Sequence, residues 1–197
     1  SAIVYNTYDD TKATFMTITP SGASVLMCWM KETKEWITNF KVGDGPCDRY
    51  GTCGAFGVCD QHKSPVCHCL NGFKPRSDEE WKKGIWRSGC VRETDLLCQR
   101  NSSNLATESS KNDGFQRLSV MKLPDLYELV HGVDDDKGCE QHCFSDCSCV
   151  AYAYPEGIGC MIWTGDLIDS VRLPFAGEDL FLRLSYSELG NRHFPSC

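Results

Sequence analysis

Apolar and polar side chains alternate near the start of the chain, which is typical of β-strands. Residues 13–19 alternate in this way, and residues 23–30 and 35–41 continue the pattern after a Pro-Ser-Gly turn. Three strands form a sheet but cannot bury both of its faces. We therefore expect residues 1–42 to be the last strands of a larger β domain, or a platform for the segment that follows.

Residues 47–98 show a different pattern, with closely spaced cysteines, frequent glycines and no helical periodicity. This pattern is typical of a loop-rich module, predicted over residues 43–98, that is held by cross-links. Residues 99–113 are mostly polar and contain no cysteine. They predict a linker or an exposed loop.

A third pattern, predicted over residues 114–188, includes one short helix. Residues 137–145 place Cys139 and Cys143 four positions apart, so the two side chains share one helix face. The acidic triplet Asp134–Asp136 precedes this helix, and an aspartate there caps the free amides and suits the helix dipole. The triplet could instead bind a cation or a basic partner, but we favour a solvated helix start.

The rest of this segment predicts strands. Residues 115–123 form one or two strands, residues 150–154 and 159–163 form a hairpin, and residues 179–185 form a closing strand. Residues 189–197 are a tail. The predicted fold class is therefore small disulfide-rich modules, mainly β, with one short helix packed on an antiparallel sheet.

Composition indicates the compartment. The chain has 197 residues and 14 cysteines, a density that excludes an ordinary cytosolic enzyme and indicates a secreted or extracellular protein. The formal charge of −7 argues against nucleic acid or an anionic membrane as partner. The longest nearly apolar run, residues 23–30, is too short to span a bilayer. We expect a soluble chain whose signal peptide has been removed or lies outside this sequence.

Metal binding and catalysis are weaker interpretations of the same residues. Cys67 and Cys69 have a single residue between them, which is too close for the usual zinc knuckle. Asp44 alone supplies a carboxylate just before the first cysteine of this module, where calcium would need several oxygen ligands, so we interpret it as a solvated turn residue. The sequence shows no nucleophile elbow and no kinase motif, and we expect neither catalysis nor a cofactor.

Two surface features complete the sequence interpretation. Asn101 begins an Asn-Ser-Ser acceptor in the polar linker, which suits a glycan. Trp81, Ile85 and Trp86 could form an exposed apolar patch, although we favour packing of the two tryptophans against disulfides and glycines.

Ordered motifs in both cysteine-rich segments are specific enough to indicate a family. The first segment contains CDRYGTCG at 47–54, PVCHCLNGFKP at 65–75 and SGCVR at 88–92. The second contains DCSCVAY at 146–152, GCMIW at 159–163 and GDLID at 165–169. The first set resembles the EGF-like segment of plant S-domain receptor kinases, also called G-type lectin S-receptor-like serine/threonine kinases, and the second resembles their PAN (apple) domain. Residues 1–42 resemble the end of their S-locus glycoprotein domain.

The resemblance implies a disulfide framework. It pairs Cys47 with Cys59, Cys53 with Cys67, Cys69 with Cys90, Cys139 with Cys160, and Cys143 with Cys149. Cys98 and Cys147 remain as a bridge between the linker region and the helix. Cys28 and Cys197 lie outside the family pattern, so Cys28 is either a small buried side chain or the partner of Cys197.

The resemblance also implies a role. It predicts the membrane-proximal part of a receptor ectodomain at the extracellular face of the plasma membrane, where it supports ligand perception and self-association. Its lectin-like domain, membrane helix and kinase would belong to a parent protein, and membrane attachment would come only through that helix. The alternative is a secreted protein whose PAN module binds carbohydrate or protein. The sequence leaves the ligand open.

Overall fold

A computed structural model describes residues 13–20, 22–100 and 112–189. The chain divides into two compact units, the first ending at Arg49 and the second beginning at Tyr50. The module boundaries given above stay predictions.

The first unit contains a three-stranded antiparallel sheet. Its strands, in sheet order, are β1 (Thr14–Ile18), β2 (Ser24–Met30) and β3 (Glu35–Val42). The central strand β2 supplies the buried side chains of Val25, Leu26 and Cys28. Every residue of β3 is exposed, including Trp36 and Phe40. The three strands are confirmed, and the sheet leaves apolar side chains uncovered, as expected for so few strands.

The second unit is built on an eight-stranded sheet with the order β5-β4-β12-β8-β13-β10-β11-β9. A separate two-stranded sheet pairs β6 with β7. The strands are β4 (Gly57–Cys59), β5 (Cys67–Cys69), β6 (Phe73–Pro75), β7 (Cys90–Arg92), β8 (Gly114–Lys122), β9 (Glu128–Val130), β10 (Ala151–Ala153), β11 (Cys160–Trp163), β12 (Ser170–Arg172) and β13 (Glu178–Leu184). The pair of β4 with β12 is parallel, and the other pairs are antiparallel. One sheet thus joins strands from both predicted cysteine-rich modules.

Within the described ranges, three short α-helices accompany these sheets. They are α1 (Asp78–Lys82), α2 (Asp136–Ser145) and α3 (Tyr186–Leu189). The predicted helix is α2, and the Asp135 side chain caps it by accepting a hydrogen bond from the Gly138 N–H at 2.7 Å. The sequence interpretation missed α1, which begins after Ser77, whose hydroxyl accepts from the Glu80 N–H. Five residues are too few to show helical periodicity.

The strand alternation places two buried clusters on opposite faces of the large sheet. In β10 and β11, Ala151, Met161 and Trp163 belong to the larger cluster, whereas Tyr152 and Ile162 belong to the smaller one. Helix α2 packs over the smaller cluster and contributes its two cysteines. The predicted fold class, mainly β with a short helix on a sheet and many disulfides, is confirmed.

The tryptophans near α1 do not form one exposed patch. Trp81 is partly buried and packs against the larger cluster, and Trp86 is half-buried. Ile85 is exposed. The interpretation of tryptophan packing is therefore confirmed most clearly for Trp81.

Candidate functional site

Strand β5 is cross-linked at both of its ends. Cys67 and Cys69 lie two positions apart, but their sulfurs bond to different partners on different segments, Cys53 and Cys90. The Cα atoms of these pairs are 5.4 and 5.7 Å apart, within the ordinary range for disulfides. Strand β5 has only three residues and forms few backbone hydrogen bonds. The two disulfides therefore hold it in place.

Helix α2 is fastened to the sheet at two points. Cys139 bonds to Cys160 on β11, and Cys143 bonds to Cys149 just before β10. All four side chains are fully or almost fully buried in the smaller cluster. Because the two helix cysteines share one face, the bonds fix both the position and the rotation of α2.

The third point of attachment is more accessible. Cys98, which is exposed, bonds to Cys147, which is half-buried, across 49 positions of sequence. It links the turn at Leu97–Gln99 to the segment that follows α2. All five bonds of the second unit join the cysteines that the resemblance and the remaining-cysteine argument indicated.

The remaining cysteines and the glycan acceptor are bonded, free or outside the described residues. Cys47 and Cys59 are both disulfide-bonded. Cys28 is a free thiol, buried in β2, which matches the first of its two alternatives. Asn101 and Cys197 lie outside the described residues.

Accessibility predicts the order in which these bonds are reduced. Thiol–disulfide exchange requires access of the reductant to a sulfur, so Cys98–Cys147 should open before the buried Cys139–Cys160. Its loss should lower the free energy of unfolding by about 4 kcal/mol in the chain-entropy model. Limited reduction, alkylation and peptide mass spectrometry measure the order. Equal labelling of Cys98 and Cys139 at every reductant concentration would contradict it.

A buried arginine lies beside this accessible bond. Arg183 on β13 is 2% exposed, and its Nη1 donates to the carbonyls of Cys143, Asp146 and Cys149 at 3.2, 2.7 and 3.4 Å. Its Nη2 donates to the Phe144 carbonyl at 3.2 Å. These carbonyls lie at and beyond the C-terminus of α2, where the carbonyls of the last turn have no N–H donors within the helix. Arg183 therefore caps α2 and favourably meets its negative dipole end.

A carboxylate and a second arginine complete this cluster. The Asp113 carboxylate lies 3.8 Å from Arg183 and accepts from the Leu97 N–H at 2.9 Å. Arg92 donates to the Arg183 carbonyl at 2.9 Å, and its guanidinium lies 4.7 Å from the Phe73 ring centre. Burial lowers the pKa of both arginine guanidinium groups, and Asp113 opposes that shift. The cluster joins the turn at Leu97, the strand β13 and the end of α2.

The sequence interpretation did not find this arginine cluster. Leu180, Leu182 and Leu184 indicate the buried face of β13, and simple alternation places Arg183 on a solvent face. The strand is covered on both faces, so Arg183 is buried as well. An arginine inside the otherwise apolar residues 180–184 was the available signal.

A group of three neighbouring cysteine sulfurs lacks the free thiolates of a metal centre. The sulfurs of Cys53, Cys59 and Cys67 lie within 4.8 Å of one another, but all three residues are in disulfides. A cysteine binds a metal ion through its thiolate, which a disulfide-bonded sulfur cannot supply. Asp44 accepts from the exposed Lys41, whose hydrogen bond lowers the pKa of the Asp44 carboxyl. That pair satisfies the carboxylate within its own turn.

Comparison with known proteins identifies two domains in the chain. A model of the S-locus glycoprotein domain matches residues 1–77, and a model of a PAN-like domain matches residues 98–170. The chain carries S-locus glycoprotein and PAN-like domains, and most of its length is homologous to G-type lectin S-receptor-like kinases. The PAN-like match contains α2, β8 to β11 and three of the disulfides described above.

Three similar proteins come from Arabidopsis thaliana. The chain is 42% identical over 185 residues to the G-type lectin S-receptor-like serine/threonine-protein kinase SD1-29. It is 43% identical over 185 residues to the relative At1g61390 and 47% identical over 154 residues to At1g11280. These alignments cover 94%, 94% and 78% of the chain, but 22%, 22% and 18% of the relatives.

The chain therefore spans about a fifth of the length of the curated relatives it matches. The relatives are named as kinases, whereas this chain carries S-locus glycoprotein and PAN domains and no kinase domain. Every helix within the described ranges is too short or too polar to span a lipid bilayer. The many disulfides of the chain agree with an extracellular setting.

Proposed function

We propose that this chain is the extracellular stalk of a receptor-like serine/threonine kinase anchored in the plasma membrane. The observation that carries the proposal is the 42% identity to SD1-29 across 94% of the chain. The disulfide framework supports it, because the bonds join helix, turn and strands into one cross-linked body that keeps its shape when a neighbouring domain binds a ligand. Phosphate transfer belongs to the parent protein.

The stalk supports ligand perception through self-association. Two linked kinases in one dimer experience a high effective concentration of each other, so a weak ectodomain contact is enough to promote their encounter. Cross-linked modules suit this role because they are rigid, so that a displacement at one end of the stalk also displaces the other end.

Strand β9 offers a surface for this contact. It is the terminal strand of the large sheet among the described strands. Leu126, Tyr127 and Leu129 at this edge are 72%, 47% and 47% exposed. Apolar side chains beside an open strand edge favour pairing with another chain. We assign the dimer contact to this edge.

Sedimentation equilibrium of the oxidised chain over micromolar concentrations tests the proposal. We expect a reversible dimer that the variant Leu126→Ser/Leu129→Lys weakens at least about tenfold, because it removes apolar area and places a charge at the contact. Phe175→Ser is the matched control, since Phe175 is equally exposed on the loop between β12 and β13. A strict monomer would overturn self-association and favour a secreted recognition protein. A dimer unchanged in the Leu126/Leu129 variant would move the contact elsewhere.

A further inference from the structure

A groove opens beside β8 in the second unit. It encloses about 870 Å³ and has one wall formed by β4, β5 and the turns next to them, and another formed by β8. Residues 115–118 of β8 line it without a break. Arg172, at the end of β12, and Leu189 also contribute. The groove therefore crosses the sheet between strands of the two predicted modules.

The pairing of β8 explains why the sheet is open here. One edge of β8 pairs with β13 from Gly114 to Met121. The other edge pairs with β12 only at Met121 and Lys122, because β12 has three residues. Along residues 115–118, that second edge has no strand partner among the described strands. Backbone N–H and C=O groups on this edge are thus available to an added strand.

Side chains join the two walls of the groove where β8 has no backbone hydrogen-bond ladder on this edge. The Asn71 amide donates to the Gln116 side-chain oxygen at 3.1 Å across the groove. Nearby, His68 lines the same space, and its Nε2 is buried without a hydrogen-bond partner. This nitrogen is therefore an unsatisfied polar group in the wall of the groove.

The groove carries positive charge on a chain whose formal charge is −7. Lys63, Arg117 and Arg172 line it, with Asp60 as the acidic residue of the lining. Arg117 is paired with Asp179 at 2.7 Å, whereas Lys63 and Arg172 have no ion pair within the described part of the chain. The local charge is therefore complementary to an anion.

We propose that this groove binds an extended acidic peptide segment of a partner protein as an additional strand beside β8. The open backbone edge supplies main-chain hydrogen bonds, and alternate acidic side chains of the peptide meet Lys63 and Arg172. The side-chain amides of Asn71 and Gln116, which would suit sugar hydroxyls, already bond to each other. The geometry therefore favours a peptide over an acidic oligosaccharide.

Fluorescence anisotropy with the full oxidised chain tests this assignment. The probe is a labelled peptide of about eight residues in which glutamate alternates with valine, long enough for one strand. We expect saturable binding that weakens when salt is raised and is lost when lysine replaces glutamate in the peptide. Lys63→Glu/Arg172→Glu should weaken binding at least about tenfold, whereas the control Lys82→Glu/Lys83→Glu on and after α1 should change it less than about twofold.

Hydrogen exchange locates the bound peptide. We expect slower exchange of alternate amides within residues 115–119 and unchanged exchange in β9, which separates this site from the dimer contact. Absence of saturable binding, equal binding by both double variants, or protection outside β8 would overturn the proposal. Groove-dependent binding of an oligogalacturonate but not of the peptide would also overturn it, in favour of a sugar. Monomeric chain can give each of these results, so the test is independent of self-association.

Discussion

Replacing Arg183 with methionine is expected to lower the free energy of unfolding by about 3 to 5 kcal/mol. Methionine keeps much of the side-chain volume but removes donors from four carbonyls at and beyond the end of α2. It also leaves the buried Asp113 carboxylate without its cation. Unsatisfied buried acceptors and an unpaired buried charge are among the few causes of losses this large.

Urea unfolding of the oxidised protein measures this effect. Arg117→Met is the matched control, because Arg117 also pairs with an aspartate, Asp179, but is mostly exposed. That exposed pair should contribute far less to the free energy of unfolding, because solvent screens it. If the two variants lose equal stability, Arg183 does not hold the cluster together as argued. Arg183→Lys should lie between wild type and methionine, because one ammonium group cannot reach all the carbonyls.

Local signals were sufficient for the elements of the second unit whose partners are close in sequence. The helix α2 was indicated by its acidic start and its two cysteines, and its cap is Asp135. The hairpin of β10 and β11 was indicated by two apolar stretches around a Pro-Glu-Gly turn. The same kind of signal was available for α1, where Ser77 and Glu80 have capping spacing, but no apolar periodicity supported it.

Long-range pairing could not be predicted in the same way. The parallel pair of β4 and β12 joins Val58 to Ser170, and neither three-residue strand carries a pattern that specifies the other. That pair brings the β4–β5 wall opposite β8 and so creates the groove. The Arg183 cluster has the same origin, because Asp113, Leu97 and the end of α2 meet only after the sheet has formed. Family resemblance implied the disulfide pairs but carried no information about either feature.

The second large effect is expected at Gly89, where alanine should destabilise the protein by at least about 3 kcal/mol. Gly89 has a φ of +69°, and a Cβ there would lie 2.5 Å from both the backbone N and O of Ala55. Those atoms belong to the backbone, so they cannot rotate away as a flexible side chain would. The next residue, Cys90, donates its N–H to the Ala55 carbonyl at 2.7 Å and forms the bond to Cys69. Separating the two segments therefore strains a hydrogen bond and a disulfide together.

Gly157→Ala is the control that isolates the close approach from the backbone conformation. Gly157 has a similar φ of +78°, but a Cβ there meets nothing within 4 Å, so only the conformational cost of about 1 kcal/mol applies. Urea unfolding and the yield of fully oxidised chain should both fall further for Gly89→Ala. Equal losses in the two variants would mean that the segments can separate freely. In that case the two disulfides of β5, rather than the contact between Gly89 and Ala55, would determine how this part of the chain is ordered.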